Sequence, residues 1–419
     1  MTINYGLLGE HLPHSFSPHI HRLLGDYDYR LLEIPPADLD TFLRRRDFRG
    51  LNVTIPYKKA VMPYCDMLTS QAKRIGSVNT LIISGDGKMV GHNTDYDGFK
   101  LMVQSAGIDM QRKKVLILGS GGASLTAGAV AADLGAKEII TVSRHGSVDY
   151  NNVYRLHGDA EIIINATPCG MYPHNNDIPL DITSLPDCQG VLDMIYNPLR
   201  TKLVLTAQKL HIPACGGLTM LVEQARCSAE MFLGNKIPEQ RTAEILHQLE
   251  LELENIVLIG MPGCGKSSIG AQIAQLMQRE FIDFDQYISQ KIGLTPEEII
   301  LNQGEVTFRS IESEVAAEIG KRQGLVIATG GGTVTRDVNM LALRQNGRIY
   351  FIERGLSSLA TAGRPLSDDG KALEQLYQQR YPLYRHYADA IIDNNGSLAA
   401  AVQTILALIC GGRNENFGN

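Results

Sequence analysis

The sequence predicts an α/β protein built from several domains with parallel sheets. Short apolar, strand-like runs alternate with helix-like patterns over the whole 419 residues, as in proteins whose parallel strands are joined by helices. Two glycine-rich turns, at residues 119–124 and 260–267, each follow an apolar run and precede a helical pattern. Such a turn opens a nucleotide-binding unit, so two of these units are expected. At roughly 150 residues per domain, the length agrees with two or three domains.

Composition excludes several classes of function. Hydrophobic residues make up 44% and charged residues 20% of the chain, a balance that supports packed cores. The net charge of −6 argues against non-specific binding to nucleic acid. No apolar run approaches the ~20 residues of a membrane span, and the first ten residues do not resemble a signal peptide. The seven cysteines form no CxxC pair, which favours reduced thiols in a cytoplasmic protein.

Local patterns place the domain boundaries. Residues 238–253 have the apolar spacing of an amphipathic helix. No glycine- or proline-rich linker separates this helix from the apolar run after it, so we place the boundary between the two nucleotide units near residue 253. The predicted parts are a domain at 1–100 that returns at about 220–253, a nucleotide-binding domain at 101–219, a second nucleotide-binding domain at 254–409 and a flexible tail at 410–419.

The second turn is a full phosphate-binding loop. It reads Gly260-x4-Gly265-Lys266-Ser267 and lies between an apolar strand and an amphipathic helix. Its glycines let backbone N–H groups surround phosphate oxygens, and the helix N-terminus adds a positive dipole. Lys266 is expected to bind the β- and γ-phosphates, while the Ser267 hydroxyl binds Mg²⁺. The expected ATP contacts in this loop are Gly263, Cys264, Gly265, Lys266, Ser267 and Ser268.

Two carboxylates follow the helix after this loop. Residues 281–285 predict a strand, in which a period of two places Asp283 and Asp285 on one face near the phosphates. One carboxylate could hold Mg²⁺, a role assigned to Asp283, and the other could accept a hydrogen bond from a substrate hydroxyl. Further along, residues 330–332 are three glycines that end another apolar strand, where backbone amides can approach an anionic ligand.

Together these motifs resemble the shikimate kinase family over about residues 254–409. The matching positions are Asp285 in D-x-D, Arg309 in G-E-x-x-F-R, the glycines Gly330, Gly331 and Gly332, Arg364 in the lid over ATP, and Arg380 in R-x-P-L-Y. The resemblance implies a P-loop domain of the nucleoside-monophosphate-kinase kind that phosphorylates the 3-hydroxyl of shikimate. Asp285 would orient that hydroxyl. Two arginines with backbone amides suit the substrate carboxylate, because a guanidinium binds it bidentately.

The first turn favours a dinucleotide that carries an extra phosphate. Ser124 replaces the third glycine of G-x-G-x-x-G and is small enough for the helix to pack on its strand. The next strand, at 138–142, ends in Ser143-Arg144-His145 without an acidic residue for the ribose of NAD(H), and Arg144 offers a guanidinium to a 2′-phosphate. A Rossmann-like domain that prefers NADP(H) is therefore predicted. Its expected cofactor contacts are Gly119, Ser120, Gly121, Gly122, Ala123, Ser143 and Arg144.

Polar motifs in the first part of the chain add a second resemblance. In chain order they are S-x-S at 15–17, N-V-T-x-P-x-K at 52–58, V-N-T at 78–80, N-T-D at 93–95, N-A-T at 165–167, D-x-x-Y-x-P at 193–198 and G-x-x-M-L-x-x-Q at 217–224. The whole set resembles the shikimate dehydrogenase family over about residues 1–252. In that family the domain formed by 1–100 and about 220–253 binds the substrate, and 101–219 binds NADP.

This resemblance implies hydride transfer between NADPH and the ring ketone of 3-dehydroshikimate. Lys58 and Asp95 would form the catalytic pair, in which Lys58 handles the proton at the oxygen as hydride reaches carbon. The implied substrate contacts are Ser15, Ser17, Thr54, Lys58, Asn79, Asp95, Tyr196 and Gln224. The remaining implied cofactor contacts are Thr167, Met194 and Gly217.

The two halves fit one another, because the product of the first reaction is the substrate of the second. We therefore predict a bifunctional enzyme of aromatic-precursor biosynthesis that uses 3-dehydroshikimate, shikimate, NADPH, ATP and Mg²⁺. One alternative is a quinate/shikimate dehydrogenase that works with NAD and carries a regulatory or inactive nucleotide-binding domain. The sequence fits a monomer and a homodimer equally.

Four histidines lie close together near the start of the chain, at positions 11, 14, 19 and 21. Their spacing forms no tidy set of metal ligands, and neither reaction needs a protein-bound transition metal. We expect them to be ordinary surface residues.

Overall fold

The computed structural model describes residues 3–12, 15–359 and 370–411. The chain divides into two compact units, one over residues 1–248 and the other over 249–419. Two sheets belong to the first unit and one to the second. Helices cover the sheets, so the predicted α/β class is confirmed. None of the helices in the described ranges is long and apolar enough to cross a membrane.

The first sheet has six strands in the order β2-β1-β3-β5-β6-β4. They are β1 (Ile3–Gly9), β2 (Tyr29–Glu33), β3 (Phe48–Val53), β4 (Met67–Leu68), β5 (Thr80–Ile83) and β6 (Met89–His92), with helices α1 (Ser17–Leu24), α2 (Leu39–Arg45) and α3 (Ser70–Ile75). Strands β2, β1 and β3 run parallel, whereas β5 pairs antiparallel with β3 and β6. Fully buried Leu8, Leu51 and Leu81 lie in its core.

The second sheet is entirely parallel, in the order β11-β10-β9-β7-β8. Its strands are β7 (Lys114–Leu118), β8 (Glu138–Val142), β9 (Ile162–Asn165), β10 (Gly190–Asp193) and β11 (Ala214–Cys215). The helices of this part are α4 (Asp95–Ser105), α5 (Gly122–Asp133), α6 (Val153–His157) and α7 (Lys202–Lys209). The predicted glycine-rich turn joins β7 to α5, which is the Rossmann-like arrangement.

Helices α8 (Leu218–Leu233) and α9 (Gln240–Leu253) follow the second sheet. Helix α8 packs closely on α4, because Gly98 has no side chain there: a Cβ at this position would lie 2.6 Å from the Met220 carbonyl oxygen. Thr242 of α9 donates to the buried carboxylate of Glu223 at 2.5 Å. The same carboxylate binds the Arg226 guanidinium through two hydrogen bonds of 3.0 and 2.7 Å. Two further hydrogen bonds join these helices to the first sheet and its helices: the Tyr5 hydroxyl of β1 donates to the Phe232 carbonyl of α8 at 2.7 Å, and Nη2 of Arg241 in α9 donates to the Leu23 carbonyl of α1 at 2.8 Å.

The second unit contains one parallel sheet in the order β13-β14-β12-β15-β16. Its strands are β12 (Asn255–Ile259), β13 (Phe281–Asp283), β14 (Val326–Ala328), β15 (Gly347–Glu353) and β16 (Ala390–Asp393). Its helices are α10 (Lys266–Met277), α11 (Phe284–Ile292), α12 (Pro296–Gln303), α13 (Glu305–Ile319), α14 (Asp337–Arg344), α15 (Gly370–Tyr387) and α16 (Leu398–Cys410). The central strand β12 is buried along its whole length and leads into the phosphate-binding loop.

One predicted strand ends earlier than expected. The strand from Phe281 stops at Asp283, whose carboxylate accepts hydrogen bonds from the backbone N–H groups of Asp285 and Gln286 at 3.1 and 3.3 Å. An aspartate in this position caps a helix by satisfying amides that have no partner inside it. Asp285 therefore lies in the first turn of α11 and not on a strand, which corrects the predicted alternation.

His21 departs from the surface position predicted for it. It is fully buried, its ring stacks on Tyr29 with centroids 3.8 Å apart, and its Nδ1 lies 2.5 Å from the Tyr27 hydroxyl. The ring of Phe232 packs beside it. Because burial penalises the charged form, the pKa of His21 falls to about 3. His11 is exposed as expected, and His14 lies outside the described residues.

The buried histidine predicts a specific dependence of stability on pH. Below pH 6.5 the unfolded chain binds a proton at His21 that the folded chain does not bind until about pH 3, so acidification stabilises the unfolded state relative to the folded state. From pH 6.5 to pH 5 this contributes a loss of about 2 kcal/mol in the free energy of unfolding. His21→Phe retains an aromatic ring against Tyr29 and removes the titration.

Urea unfolding of the full chain at several pH values measures this effect. The variant should lose less stability than the wild type on acidification, by roughly the amount given above. His247→Gln is the control, because His247 is exposed on α9 and should leave the pH dependence unchanged. Parallel pH curves for wild type and His21→Phe would contradict the assignment.

Candidate functional site

A buried ion pair lies beyond the carboxyl end of β3, an interior strand of the first sheet. The Nζ of Lys58, in the loop after β3, donates to Oδ2 of Asp95, the first residue of α4, at 2.6 Å. The side chains of Lys58 and Asp95 are only 17% and 6% exposed. A pair removed from water needs further hydrogen bonds to be stable, and Asn79 provides one by donating to Oδ1 of Asp95 at 2.9 Å. The ammonium group is therefore held in one orientation.

The predicted Gln224 belongs to the same cluster. Its Oε1 lies 3.5 Å from Nδ2 of Asn79, and its Nε2 donates to the Leu221 carbonyl at 2.9 Å. Oδ1 of Asn79 accepts from the backbone N–H of Thr94 at 2.7 Å, which fixes the orientation of the amide. The structure thus brings together Lys58, Asn79, Asp95 and Gln224 from four separate parts of the chain.

Sequence reasoning assigned no role to three buried polar residues of its own motifs, which lie behind this cluster. Asn52 donates to Thr80 at 3.2 Å and accepts from the Tyr29 hydroxyl at 2.7 Å. Thr80 in turn donates to Oδ1 of Asn79 at 3.1 Å, and Thr94 lies beside the same amide. The signal in the sequence was their membership of the motifs at 52–58, 78–80 and 93–95.

The serine motif lies at the start of α1. The backbone N–H of Ser17 donates to Oγ of Ser15 at 3.2 Å, and Ser17 is buried. Between them, the ring of Phe16 packs 5.5 Å from the ring of Tyr196, which follows β10 in the second sheet. The serine motif of the first sheet therefore meets the predicted tyrosine of the second. Thr54 follows β3, where its N–H donates to the Leu8 carbonyl at 2.9 Å.

The glycine-rich turn after β7 lies against the ion pair. A Cβ on Gly122 would be 2.9 Å from Oγ of Ser77 and 3.3 Å from Cβ of Lys58. Gly119 has a φ of 108°, a left-handed conformation that favours glycine, and Ser124 closes the turn by donating to the Gly121 carbonyl at 2.7 Å. A dinucleotide held by residues 119–123 would consequently lie next to Lys58.

Met194 and Gly217 lie in direct contact. A Cβ on Gly217 would be 2.2 Å from the Met194 carbonyl oxygen, so only glycine allows this approach. The N–H of Gly217 donates to the Ile195 carbonyl at 2.8 Å, which joins the two loops after β10 and β11. The predicted residues beside the nicotinamide are therefore neighbours.

A buried carboxylate supports these loops. Asp193, at the end of β10, accepts hydrogen bonds from Oγ1 of Thr201 at 2.7 Å and Nδ2 of Asn165 at 3.0 Å. Burial raises the pKa of Asp193 to about 6. Oδ1 of Asn165 accepts from Oγ1 of Thr167 at 2.7 Å, so the predicted cofactor residue Thr167 is held by the same network.

The tip of β8 carries the residues predicted to select the cofactor. Arg144 is exposed immediately after the strand, while Ser143 is half-buried. The N–H of Ser143 donates to the Val148 carbonyl at 3.1 Å, and the N–H of Gly146 donates to the Ser143 carbonyl at 3.3 Å. These bonds fold residues 143–148 into a compact turn that presents the Arg144 guanidinium to solvent.

In the second unit, the phosphate-binding loop connects β12 to α10. Gly260, Gly263 and Gly265 have φ values of 146°, 81° and 101°, which favour glycine. The buried Lys266 extends back over the loop, and its Nζ donates to the carbonyls of Gly260 and Met261 at 2.9 Å each. The ammonium is thereby fixed against the backbone of the loop.

Two side chains predicted to bind Mg²⁺ lie at this loop. Oγ of Ser267 donates to Oδ2 of Asp283 at 2.5 Å, so the two residues predicted to bind Mg²⁺ are in contact. Hydroxyl and carboxylate oxygens suit this hard cation, which is usually completed by phosphate oxygens and water. In the described ranges no group of three or more His, Cys, Asp or Glu side chains could hold a metal ion by itself.

The triple glycine of the second unit is surrounded by predicted substrate residues. The Arg309 guanidinium lies against Gly332, with Nη2 only 2.1 Å from the position of a Cβ there. Buried Glu312 binds Nη1 of Arg309 at 2.8 Å. Oδ1 of Asp285 is 3.4 Å from the position of a Cβ on Gly330. Arg380 is buried in α15, and the predicted lid residue Arg364 lies outside the described residues.

Family comparisons agree with this arrangement. The model described as the shikimate dehydrogenase substrate binding domain matches residues 7–81. The model described as shikimate kinase matches residues 262–410.

Individual proteins match the first unit. The shikimate dehydrogenase (NADP(+)) of Clostridium perfringens (strain SM101 / Type A) is 36% identical over 266 residues, which are 59% of this chain and 98% of that protein. That of Methanopyrus kandleri is 34% identical over 278 residues, covering 59% of this chain and 94% of the relative.

Solved structures match the same part of the chain. Shikimate dehydrogenase 1 from Peptoclostridium difficile has a TM-score of 0.56 at 35% identity and covers 60% of this chain and 98% of its own. A chorismate mutase/shikimate 5-dehydrogenase fusion protein from Clostridium acetobutylicum has a TM-score of 0.55 at 36% identity with the same coverage. The chain therefore belongs to the shikimate dehydrogenase family and carries a shikimate kinase domain C-terminal to the dehydrogenase part.

Proposed function

We propose that this chain catalyses two consecutive reactions: NADPH-dependent reduction of 3-dehydroshikimate to shikimate, and ATP-dependent phosphorylation of the shikimate 3-hydroxyl. One observation in each unit carries the proposal. The Lys58–Asp95 pair lies beside a dinucleotide turn in the first unit, and the second unit holds a phosphate-binding loop with a separate arginine and glycine site. Both family matches support the same pair of activities.

In the dehydrogenase reaction, residues of this chain would deliver the proton to the ketone oxygen. NADPH supplies a hydride when it is bound. The ketone oxygen gains negative charge as hydride reaches the carbon, and the Lys58 ammonium donates a proton to that oxygen to give the alcohol. Asp95 keeps the ammonium oriented through the 2.6 Å bond. Asn79 and Gln224 lie next to the carboxylate and would bind ring hydroxyls.

The other first-unit residues divide between substrate and cofactor. Ser15 and Ser17 would hold the substrate carboxylate, with Thr54 and Tyr196 completing the substrate site. NADP in preference to NAD is proposed from the exposed guanidinium of Arg144 at the tip of β8. Relatives named shikimate dehydrogenase (NADP(+)) support that preference.

In the kinase, the protein positions the phosphoryl group and the hydroxyl. Ser267 and Asp283 would hold Mg²⁺, and Lys266 would neutralise charge on the β- and γ-phosphates. Asp285 is proposed to orient the 3-hydroxyl and accept its proton as the oxygen attacks the γ-phosphorus and the bond to ADP breaks. Arg309 and Arg380 would bind the substrate carboxylate.

The cellular location and the oligomeric state of the protein belong to the same proposal. All seven cysteines, each within the described part of the chain, are free thiols, which supports a cytoplasmic location. Each candidate site takes its residues from a single chain, so a monomer and a homodimer are both compatible with the two activities.

The first test separates the two activities within one protein. Full-length enzyme given 3-dehydroshikimate, NADPH, ATP and Mg²⁺ should produce shikimate 3-phosphate. Lys58→Ala should lower kcat of the reduction roughly 10³-fold by removing the acid, while phosphorylation of added shikimate is unchanged. Asp285→Asn should show the opposite pattern, so each variant is the control for the other. A wild-type enzyme that reduces its substrate with NADH and never phosphorylates shikimate would favour the quinate/shikimate dehydrogenase alternative.

The second test addresses cofactor preference. Arg144→Ala removes the proposed partner of the 2′-phosphate and should raise KM for NADPH roughly 10- to 100-fold, the range of a charge-assisted hydrogen bond. KM for NADH should change little. Lys137→Ala is the matched control, because Lys137 is an exposed cation at the opposite end of β8. Equal changes in KM for both cofactors would argue against selection by Arg144.

The third test uses the contact between Gly217 and Met194. Gly217→Ala places a Cβ 2.2 Å from the Met194 carbonyl oxygen, so the two loops must move apart. We expect kcat/KM for the reduction to fall roughly 10²-fold with kinase activity intact. Gly128→Ala in α5 is the control, because its Cβ would meet only Ile117 at 3.7 Å. Normal activity of Gly217→Ala would contradict the placement of these loops at the cofactor.

A further inference from the structure

A tyrosine outside the residues assigned above contacts the triple glycine of the second unit. Tyr384 lies in the last turn of α15 and is fully buried. Its ring stacks on Phe351 of β15, with centroids 5.1 Å apart and an interplanar angle of 19°. Its hydroxyl donates to the Gly331 carbonyl at 2.5 Å. A buried phenol needs such a partner, and this one is part of the proposed substrate site.

The bond sets the orientation of one peptide group. The Gly331 carbonyl and the Gly332 N–H belong to the same planar trans peptide and point in opposite directions. Because Tyr384 holds the carbonyl, the Gly332 N–H is directed away from Tyr384. Gly332 is also the residue against which the Arg309 guanidinium packs. One backbone donor and one guanidinium are thereby held side by side.

The neighbouring atoms leave this peptide little freedom. A Cβ on Gly331 would lie 2.7 Å from Cδ of Pro262 in the phosphate-binding loop, so the glycine packs directly on that loop. Burial raises the pKa of Tyr384 well above its ordinary value, which keeps the hydroxyl a donor. Arg380 lies one turn earlier on the same helix and interacts with the Tyr384 phenol.

We propose that Tyr384 is a positioning residue of the kinase, which orients the Gly331–Gly332 peptide so that the Gly332 amide, together with Arg309, binds the carboxylate of the substrate. The proposal rests on the proposed kinase function. It assigns to Tyr384 a role in the affinity for the acid and not in the transfer of the phosphoryl group, since the hydroxyl is already bonded to the backbone.

Tyr384→Phe tests this role, because it removes only the hydroxyl and keeps the stacked ring. We expect KM for shikimate to rise roughly 10-fold, as for the loss of one buried hydrogen bond, while KM for ATP and the dehydrogenase activity stay within about twofold. Tyr381→Phe is the matched control on the same helix, because its hydroxyl donates to Glu353 at 2.7 Å. It should leave KM for shikimate unchanged.

A second measurement separates positioning from a loss of stability. The carboxamide of shikimate lacks the negative charge that the Gly332 amide and Arg309 would bind. The ratio of the two dissociation constants, amide over acid, should be large for the wild type and roughly 10-fold smaller for Tyr384→Phe. A merely weakened fold would weaken both ligands equally and leave this ratio unchanged.

The outcomes distinguish this inference from the function on which it rests. A wild-type enzyme without shikimate kinase activity would overturn the proposed function. A wild-type enzyme that phosphorylates shikimate, combined with an unchanged KM for shikimate in Tyr384→Phe or an unchanged ratio of dissociation constants, would overturn the positioning role alone.

Discussion

Parallel strands end at one edge of a sheet, and the candidate sites of this protein all depend on that constraint. Lys58 lies in the loop after β3, the dinucleotide turn follows β7, and Met194 follows β10. In the second unit the phosphate-binding loop follows β12 and Gly330 follows β14. A helix that starts after such a strand presents free backbone amides, so these edges can bind anions and phosphates. The chemistry of both units is therefore built at strand ends.

Charged groups at these edges are held by fixed partners. Lys58 binds Asp95, and the Asp95 carboxylate also accepts from Asn79. Arg309 binds Glu312, which accepts a further bond of 2.6 Å from Thr333. Removing a charged group from water costs roughly several kcal/mol, and a paired charge and further hydrogen bonds offset this cost. Each pair thus gives a preset orientation to a side chain that would otherwise be flexible in solvent.

Local pattern was sufficient for most of the fold, whereas the roles of the site residues stay predictions that rest largely on the family resemblances. Both glycine-rich turns, of which the second is the phosphate-binding loop, lie where the sequence predicts them, because strand, turn and helix signals act over neighbouring residues. Where two local signals competed, the prediction was wrong: Asp285 was expected on the same strand as Asp283, yet Asp283 ends β13 and caps α11, whose first turn contains Asp285. The surface position predicted for His21 was also wrong, because its burial depends on contacts with Tyr29 in the next strand and with Phe232, which is distant in sequence.

The sequence by itself determined the two nucleotide-binding folds and the order of their motifs, since both follow from short spacings along the chain. Only the tertiary structure decided which of these residues meet. It places Gly122 against Lys58, Gly332 against Arg309, and the Tyr384 hydroxyl on Gly331. Such contacts join segments far apart in sequence, and packing of side chains and backbone selects them, so no local pattern contains them.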